Sequence, residues 1–241
     1  MRSDERECEH LRNTYIEINT SKHADGSCII NCGDTKILCT ATVEESVPHF
    51  LRKSGLGWVT AEYGMLPTST STRNRREVSS GKQSGRTQEI QRLIGRSLRT
   101  CIDRSSLGER QIIIDCDVLQ ADGGTRCASI TGGWVAMKLA MNKMLRDGKI
   151  AYDPIIHQVA AVSCGIIGGK PMADLNYIED SNADIDSNFV MNENNEFVEI
   201  QCSAEKAALT KMQFEELYDM AISGIHSLFK IQREILKSAV L

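Results

Sequence analysis

Apolar and polar residues alternate through the first third of the chain, and residues 27–31, 35–43 and 57–62 each read as a strand. Gly33-Asp34, between the first two, supplies a tight hairpin turn. The alternation then stops. Residues 67–84 are rich in hydroxyls and arginine and have no apolar period, which predicts an exposed loop. From 86 to 103 the spacing becomes helical, with Ile90, Leu93, Ile94 and Leu98 on one face. A strand over 111–119 follows, then a helix running to Leu145 on Ile130, Trp134, Met137 and Met141. A second strand-rich stretch covers 157–167, 170–177, 188–191 and 196–201. A long helix over 211–237 closes the chain, with a Thr210/Gln213 capping box and a buried face of Phe214, Leu217, Ala221, Ile225 and Leu228. This order predicts an α+β fold of two sheet–helix halves, with no linker between them, in one domain over residues 1–241.

Composition narrows the class. The 241 residues hold no apolar run near the roughly 20 needed to span a membrane. The charged opening, Met1 to Arg6, leads into no apolar segment, so no signal peptide is expected and the cytoplasm is the expected address. Nine cysteines are scattered without a Cys-x-x-Cys, and read as buried reduced thiols. A zinc site from Cys28, Cys32 and His23 is rejected, because at strand rise the two thiols stand about 13 Å apart. The net charge of −4 hides an asymmetry: residues 51–110 hold twelve basic against five acidic residues, and 171–200 hold eight acids and no base. Ten of those twelve bases are arginine, which favours phosphate recognition.

Two arms of that basic region share one device. Ser84-Gly85-Arg86-Thr87 and Gly123-Gly124-Thr125-Arg126 each set glycine, arginine and threonine at a helix start. A helix N-terminus offers free N–H donors and partial positive charge, and arginine adds a forked donor set. Neither arm is a P-loop and no Gly-x-Gly-x-x-Gly is present, so the pair suits free phosphate or a backbone phosphodiester held between them.

Acidic residues supply the complement. Asp180, Asp184 and Asp186 follow the 170–177 strand on what reads as a short loop. They suit Mg²⁺ beside a phosphate, a general acid for a departing ribose hydroxyl, or simply a solvated turn. Asp115 and Asp117 share one face of their strand, either against arginines or in the site. Arg73, Arg75 and Arg76 on the polar loop suit a nucleic-acid backbone. Arg92, Arg96 and Arg99 form a helical stripe that reads as ion-paired structure or a subunit contact before RNA contact. With five Phe, five Tyr and two Trp, no base-stacking platform is evident.

The same residues carry a resemblance. Gly57-Trp58-Val59-Thr60-Ala61-Glu62-Tyr63-Gly64-Met65-Leu66-Pro67, the run from Gly81 through Ser84-Gly85-Arg86-Thr87-Gln88-Glu89 to Arg99, and Asp115-Cys116-Asp117-Val118-Leu119-Gln120-Ala121-Asp122-Gly123-Gly124-Thr125-Arg126 resemble the bacterial ribonuclease PH family almost end to end. The resemblance implies the ribosomal protein S5 domain 2-like fold shared with polynucleotide phosphorylase and exosome ring subunits. It implies a homo-hexamer built as a trimer of dimers, and reversible phosphorolysis of RNA 3′ ends, chiefly of tRNA precursors, with inorganic phosphate as co-substrate. It assigns Arg86, Gly124, Thr125 and Arg126 to the attacking phosphate. It assigns Asp180 and Asp186 to catalysis or to a metal such as Mg²⁺, and Arg73 and Arg76 to tRNA, with Arg75 as an additional arginine.

The chain departs from that pattern in three places. Thr68 stands where a third loop arginine is usual, Glu5 where glycine is usual, and Cys202-Ser203 replaces Gly-Thr; none of these is expected to touch the phosphate arms. Two other readings remain: a non-catalytic RNA-binding ring subunit, and a hydrolytic nuclease that releases monophosphates. The retained Arg86, Arg126, Asp180 and Asp186 speak against the first.

Overall fold

The computed structural model describes residues 2, 4–206 and 208–238; Met1, Ser3, Ala207 and residues 239–241 lie outside them. The first half is a five-stranded sheet of β1 (Thr14–Ile18), β2 (Gly26–Cys32), β3 (Thr35–Glu44), β4 (Trp58–Met65) and β5 (Gln111–Gln120), in the order β1-β2-β3-β5-β4. Pairing is antiparallel except between β4 and β5. That parallel pair needs a crossover, which α1 (Gly85–Arg99) and the single turn α2 (Arg104–Leu107) provide. The second half is an antiparallel sheet of β6 (Val159–Ile167), β7 (Lys170–Ala173), β8 (Ile185–Asn192) and β9 (Phe197–Ala204), ordered β7-β6-β8-β9. Helix α4 (Tyr177–Asn182) joins β7 to β8, and α5 (Lys211–Ser238) covers β6 and β7.

Helix α3 (Thr125–Arg146) lies between the sheets, touching β2, β3 and β5 on one side and β6 and β8 on the other. Such a helix must be apolar nearly all round, and sixteen of its 22 residues are buried. One core therefore runs from Ile30, Ile37 and Ile114 through Ile130 and Met137 to Val159, Ala161 and Val190. On β5, Ile112, Ile114, Cys116 and Val118 point into that core, which leaves Asp115 and Asp117 on the opposite face. Seven of the nine cysteines are buried; Cys8 is half-buried and Cys202 exposed.

The differences from the pattern-based reading have local causes. Strand β1 is a five-residue edge strand with one buried side chain, too short for a clear alternation. The 86–103 helix stops at Arg99, and Asp103 caps α2 by accepting from the Ser105 N–H. The 170–177 strand ends at Ala173 because Asp174 takes a left-handed conformation, φ +52°. The acidic segment that follows is not a loop. Asn176 and Glu179 form a capping box that starts α4, so Asp180 stands on a helix and Asp186 on β8.

An arginine network locks this junction. Arg12, 5% exposed, holds Asp174 through Nε (3.0 Å), Nη2 (2.7 Å) and its own backbone N–H (2.7 Å). It also donates to the Asp122 and Gly123 carbonyls. Arg2 grips Glu179 with two 2.8 Å bonds and donates to the Asp174 carbonyl. Burial alone would raise the Asp174 carboxyl pKa, but the Arg12 hydrogen bonds and charge outweigh it and hold it below the usual range. Arg12→Met strips that buried carboxylate of its hydrogen bonds from the guanidinium and leaves only Arg6, at 3.6 Å, as a charge partner. We expect a loss of about 3–5 kcal/mol in urea unfolding; a loss below 1 kcal/mol contradicts the role. Glu5, where the family pattern has glycine, sits at φ +62°. Glu5→Gly is expected to raise stability by about 0.5–1 kcal/mol, read in the same unfolding series.

Candidate active site

The turn before α3 is built for an anion. Gly123 (φ +77°) and Gly124 (φ +66°) both take left-handed conformations. A Cβ on Gly123 would stand 2.5 Å from the Leu175 carbonyl oxygen, and one on Gly124 3.1 Å from Arg12. Thr35 Oγ1 donates to the Gly123 carbonyl (2.7 Å) and accepts from the Asp122 N–H (2.9 Å). No side chain caps α3, so its first N–H groups stay available at the positive end of a 22-residue helix. Tyr63 fixes Thr125 by a 2.9 Å hydroxyl–hydroxyl hydrogen bond.

The start of α1 behaves differently from expectation. Ser84 Oγ accepts from the Thr87 N–H, and the Glu77 carboxylate accepts from both the Ser84 N–H and the Thr87 hydroxyl. The Thr87 N–H is thus capped by Ser84, while the Gly85 and Arg86 N–H groups have no side-chain partner among the described residues. What the arm contributes is Arg86, which is exposed and makes no hydrogen bond or ion pair among the described residues.

One cleft of about 360 Å³ gathers Arg86, Gly124, Thr125, Arg126, Asp180 and Asp186, together with Asn188 and Tyr177. Six residues from three distant stretches of sequence share one space. The Asp180 and Asp186 carboxylates accept no hydrogen bond among the described residues. Burial, then the Asp180 charge, pushes the Asp186 carboxyl up to about 6, against the pull of Arg126 and Arg86. Burial also raises Asp180, opposed by Arg86 and Arg126. Two such carboxylates, unsatisfied and mutually repelling, fit a divalent cation. Among the described residues no group of three His, Cys, Asp or Glu could hold a metal alone; a cation here would complete its shell with water and substrate oxygens, as Mg²⁺ commonly does.

The loop arginines lie to one side. Arg75 and Arg76 line an adjoining groove with Arg86 and Asp117, while Arg73 is exposed and lines neither space. Asp115 meets no arginine; burial and the charges of Glu62 and Asp117 raise its pKa. In the helical stripe, Arg96 pairs with Glu199 (2.8 Å), and Arg99 donates to the Val59 carbonyl and stacks 4.2 Å over Trp58. Those two serve structure, as expected.

Sequence pattern missed four residues of the site. Asn188 is 7% exposed and accepts from the Cys127 thiol. Tyr177, 61% exposed, presents an aromatic ring at the cleft. Gln201 and Glu89 adjoin Arg126. The Asp-x-Asn spacing was a signal for Asn188; nothing local marks the others. Cys202 and Ser203 line a groove with Arg126 and Asp186, so this departure lies beside the second arm, contrary to expectation.

Residues 10–141 match domain 1 of the 3′ exoribonuclease family (RNase PH), and residues 157–224 match its domain 2. The chain belongs to this family. Ribonuclease PH of Cereibacter sphaeroides is 58% identical over 236 residues, covering 98% of this chain and all of that protein. Ribonuclease PH of Caulobacter vibrioides is 58% identical over 233 residues, 97% of this chain and 98% of the relative. Among solved structures, rice Rrp46 superposes with a TM-score of 0.79 at 16% identity, covering 98% of this chain and 100% of that one. A chain of the Archaeoglobus fulgidus exosome with RNA bound to the active site gives 0.79 at 21%, covering 97% and 92%. These two establish the fold. Family membership makes the protein a phosphate-dependent 3′→5′ exoribonuclease of the RNase PH type.

The raised Asp186 predicts a stability cost of known sign. Its folded pKa, about 6, exceeds the ordinary aspartate value of 3.8, so the ionised carboxylate opposes folding above pH 6 and the cost vanishes below about pH 4. Without divalent cations, Asp186→Asn is expected to be more stable than the parent at neutral pH by about 1–3 kcal/mol. The gap should close on acidification. Urea titrations showing no gap at neutral pH, or one that widens in acid, contradict this.

Proposed function

We propose that the cleft of Arg86, Gly124, Thr125, Arg126, Asp180 and Asp186 is the phosphorolytic centre, and that it trims the 3′ ends of tRNA precursors and other structured RNA. The carrying observation is the convergence in one cleft of an uncapped α3 terminus, two arginines and two carboxylates of raised pKa. Inorganic phosphate docks on the α3 N–H groups between Arg86 and Arg126. One of its oxygens attacks the phosphorus of the last phosphodiester. That P–O bond forms as the bond to the penultimate O3′ breaks, giving a nucleoside diphosphate and RNA one residue shorter. The reverse step adds a nucleotide.

Both reactants are anions, so the positive field must be fixed in advance. Arg126 is 17% exposed and tethered; Arg86 is free to close on the substrate. The departing O3′ needs a proton. Asp186, titrating near 6, holds one at a useful fraction near neutral pH. Alternatively, with both carboxyls ionised, a Mg²⁺ ion bound by Asp180 and Asp186 would supply charge neutralisation at the leaving oxygen in place of that proton. Arg73, Arg75 and Arg76 track the incoming backbone, with Thr68 adding no charge there, and Tyr177 offers a face to the terminal base that accepts any of the four.

The two halves act as one domain on this reading, since arginines from the first meet aspartates from the second. The working form is a cytoplasmic homo-hexamer, a trimer of dimers. A non-catalytic ring subunit would not need the full set of arginines and carboxylates.

A 3′-extended tRNA incubated with Mg²⁺ should release nucleoside diphosphates only when inorganic phosphate is present. Monophosphates without phosphate would establish hydrolysis instead, and no release would establish the inert subunit. Arg86→Ala and Arg126→Ala should each lower turnover by about 100-fold or more with assembly unchanged on size-exclusion chromatography. Loss of assembly in both would remove the arginines from the site.

A further inference from the structure

Arg126 does not reach the cleft unaided. Its Nη1 donates to Gln201 Oε1 at 2.8 Å, and Gln201 Nε2 donates to Glu89 Oε1 at 3.0 Å. Glu89 Oε1 also stands 3.6 Å from Arg126 Nη1. The three side chains close a triangle from three elements: α3 carries Arg126, β9 carries Gln201 and α1 carries Glu89. Gln201 Nε2 has a second, longer contact with Glu199 Oε1 (3.5 Å), and Glu199 in turn pairs with Arg96 of α1. The amide can point only one way, because the oxygen must face the guanidinium and the N–H group the carboxylate.

We infer that Gln201 and Glu89 are positioning residues for the attacking phosphate, setting the Arg126 guanidinium against α1 so that Arg86 and Arg126 act at a fixed spacing. The inference rests on the phosphorolytic reading of the cleft and adds to it two residues from outside both Gly-Arg arms. Glu89 lies one helical turn beyond Arg86 on α1, so whatever fixes Arg126 to Glu89 also fixes it to the helix that bears Arg86. Gln201 occupies a place where a carboxylate would have been the simpler arginine partner. A carboxylate there would face Glu89 at hydrogen-bond distance and repel it, and would cancel the charge that the phosphate needs. A neutral residue that both accepts and donates satisfies both neighbours and leaves the guanidinium positive. Only Nη1 is used in these contacts, so the remaining N–H donors of Arg126 stay open to a ligand.

The test separates phosphate from RNA. Gln201→Leu keeps the volume and removes both bonds; we expect the KM for phosphate to rise about 10–100-fold. The Kd for a 3′-extended tRNA, measured without phosphate, should be unchanged. Gln201→Glu, nearly isosteric, should weaken phosphate through charge. Glu89→Gln keeps an acceptor for the Gln201 amide and should restore most of the phosphate affinity that Glu89→Ala loses. Direct binding of inorganic phosphate, read as a thermal shift without RNA, should fall in Gln201→Leu and Gln201→Glu alike. A phosphate KM within twofold of the parent in Gln201→Leu overturns the inference, as do phosphate and RNA affinities that fall together. If the unmodified protein binds phosphate but releases no diphosphates, the phosphorolytic reading fails while the thermal-shift series still judges the relay.

Discussion

The pairing of Arg12 with Asp174 decides where the two sheets meet. Asp174 ends β7 in a left-handed conformation, φ +52°, and would be an expensive residue to bury there without a partner. Arg12 satisfies both carboxylate oxygens and, with the same guanidinium, the carbonyls of Asp122 and Gly123. One side chain thereby fixes the entry to β1, the glycine turn before α3 and the exit from β7. Arg2 extends the lock to Glu179, the residue before Asp180. The glycine turn before α3 and Asp180 are therefore held against a common buried frame. Removing the frame would move them relative to each other without touching either.

That rigidity is spent on a site that works against folding. Asp186 sits half-buried and is raised by burial and by the Asp180 charge. Neither carboxylate accepts a hydrogen bond among the described residues, and the Arg86 side chain lines the same cleft without a partner among them. Relaxing the carboxylates onto the arginines would stabilise the chain and neutralise the field that an anionic nucleophile requires. Arg126 is instead tied sideways, to Gln201 and Glu89, so its charge is anchored but not consumed by Asp186. The separation of charges is kept by rigid elements on either side: α3 for the arginine, β8 and the capped α4 for the carboxylates.

Much of this was legible in the chain because each strong element reports on itself. The alternation in β5 and the helical spacing of α1 and α5 depend only on which face is buried, and the structure places them within a few residues of the pattern. The glycine pair at 123–124 was equally readable, since positive φ and close packing against residues 175–177 leave little else possible. What escaped depends on partners distant in sequence. Strand β1 exists because β2 pairs with it. Helix α4 is six residues long and owes its place to the Asn176–Glu179 box and to Arg2. At the α1 terminus the pattern shows the helix start but not that Glu77, seven residues before Ser84, accepts from the Ser84 N–H and the Thr87 hydroxyl.

The departures at Glu5 and at Cys202-Ser203 show how unevenly such a frame tolerates change. Glu5 strains a backbone position but faces solvent, so its cost is local and the guanidinium network beside it can absorb it. Cys202 lies next to Gln201 on β9, and Ser203 pairs in register with Asp186. Successive residues on a strand face opposite ways, so Cys202 points away from the Gln201 side chain, while Ser203 shares its face beside Asp186. Thr68 removes a charge from an exposed loop that lines the cleft through Thr70 and Asn74, not through residue 68. The positions that tie the halves together, Arg12, Asp174 and Gln201, are those whose side-chain polar atoms each already have a partner, with Glu89 joined to them through Oε1.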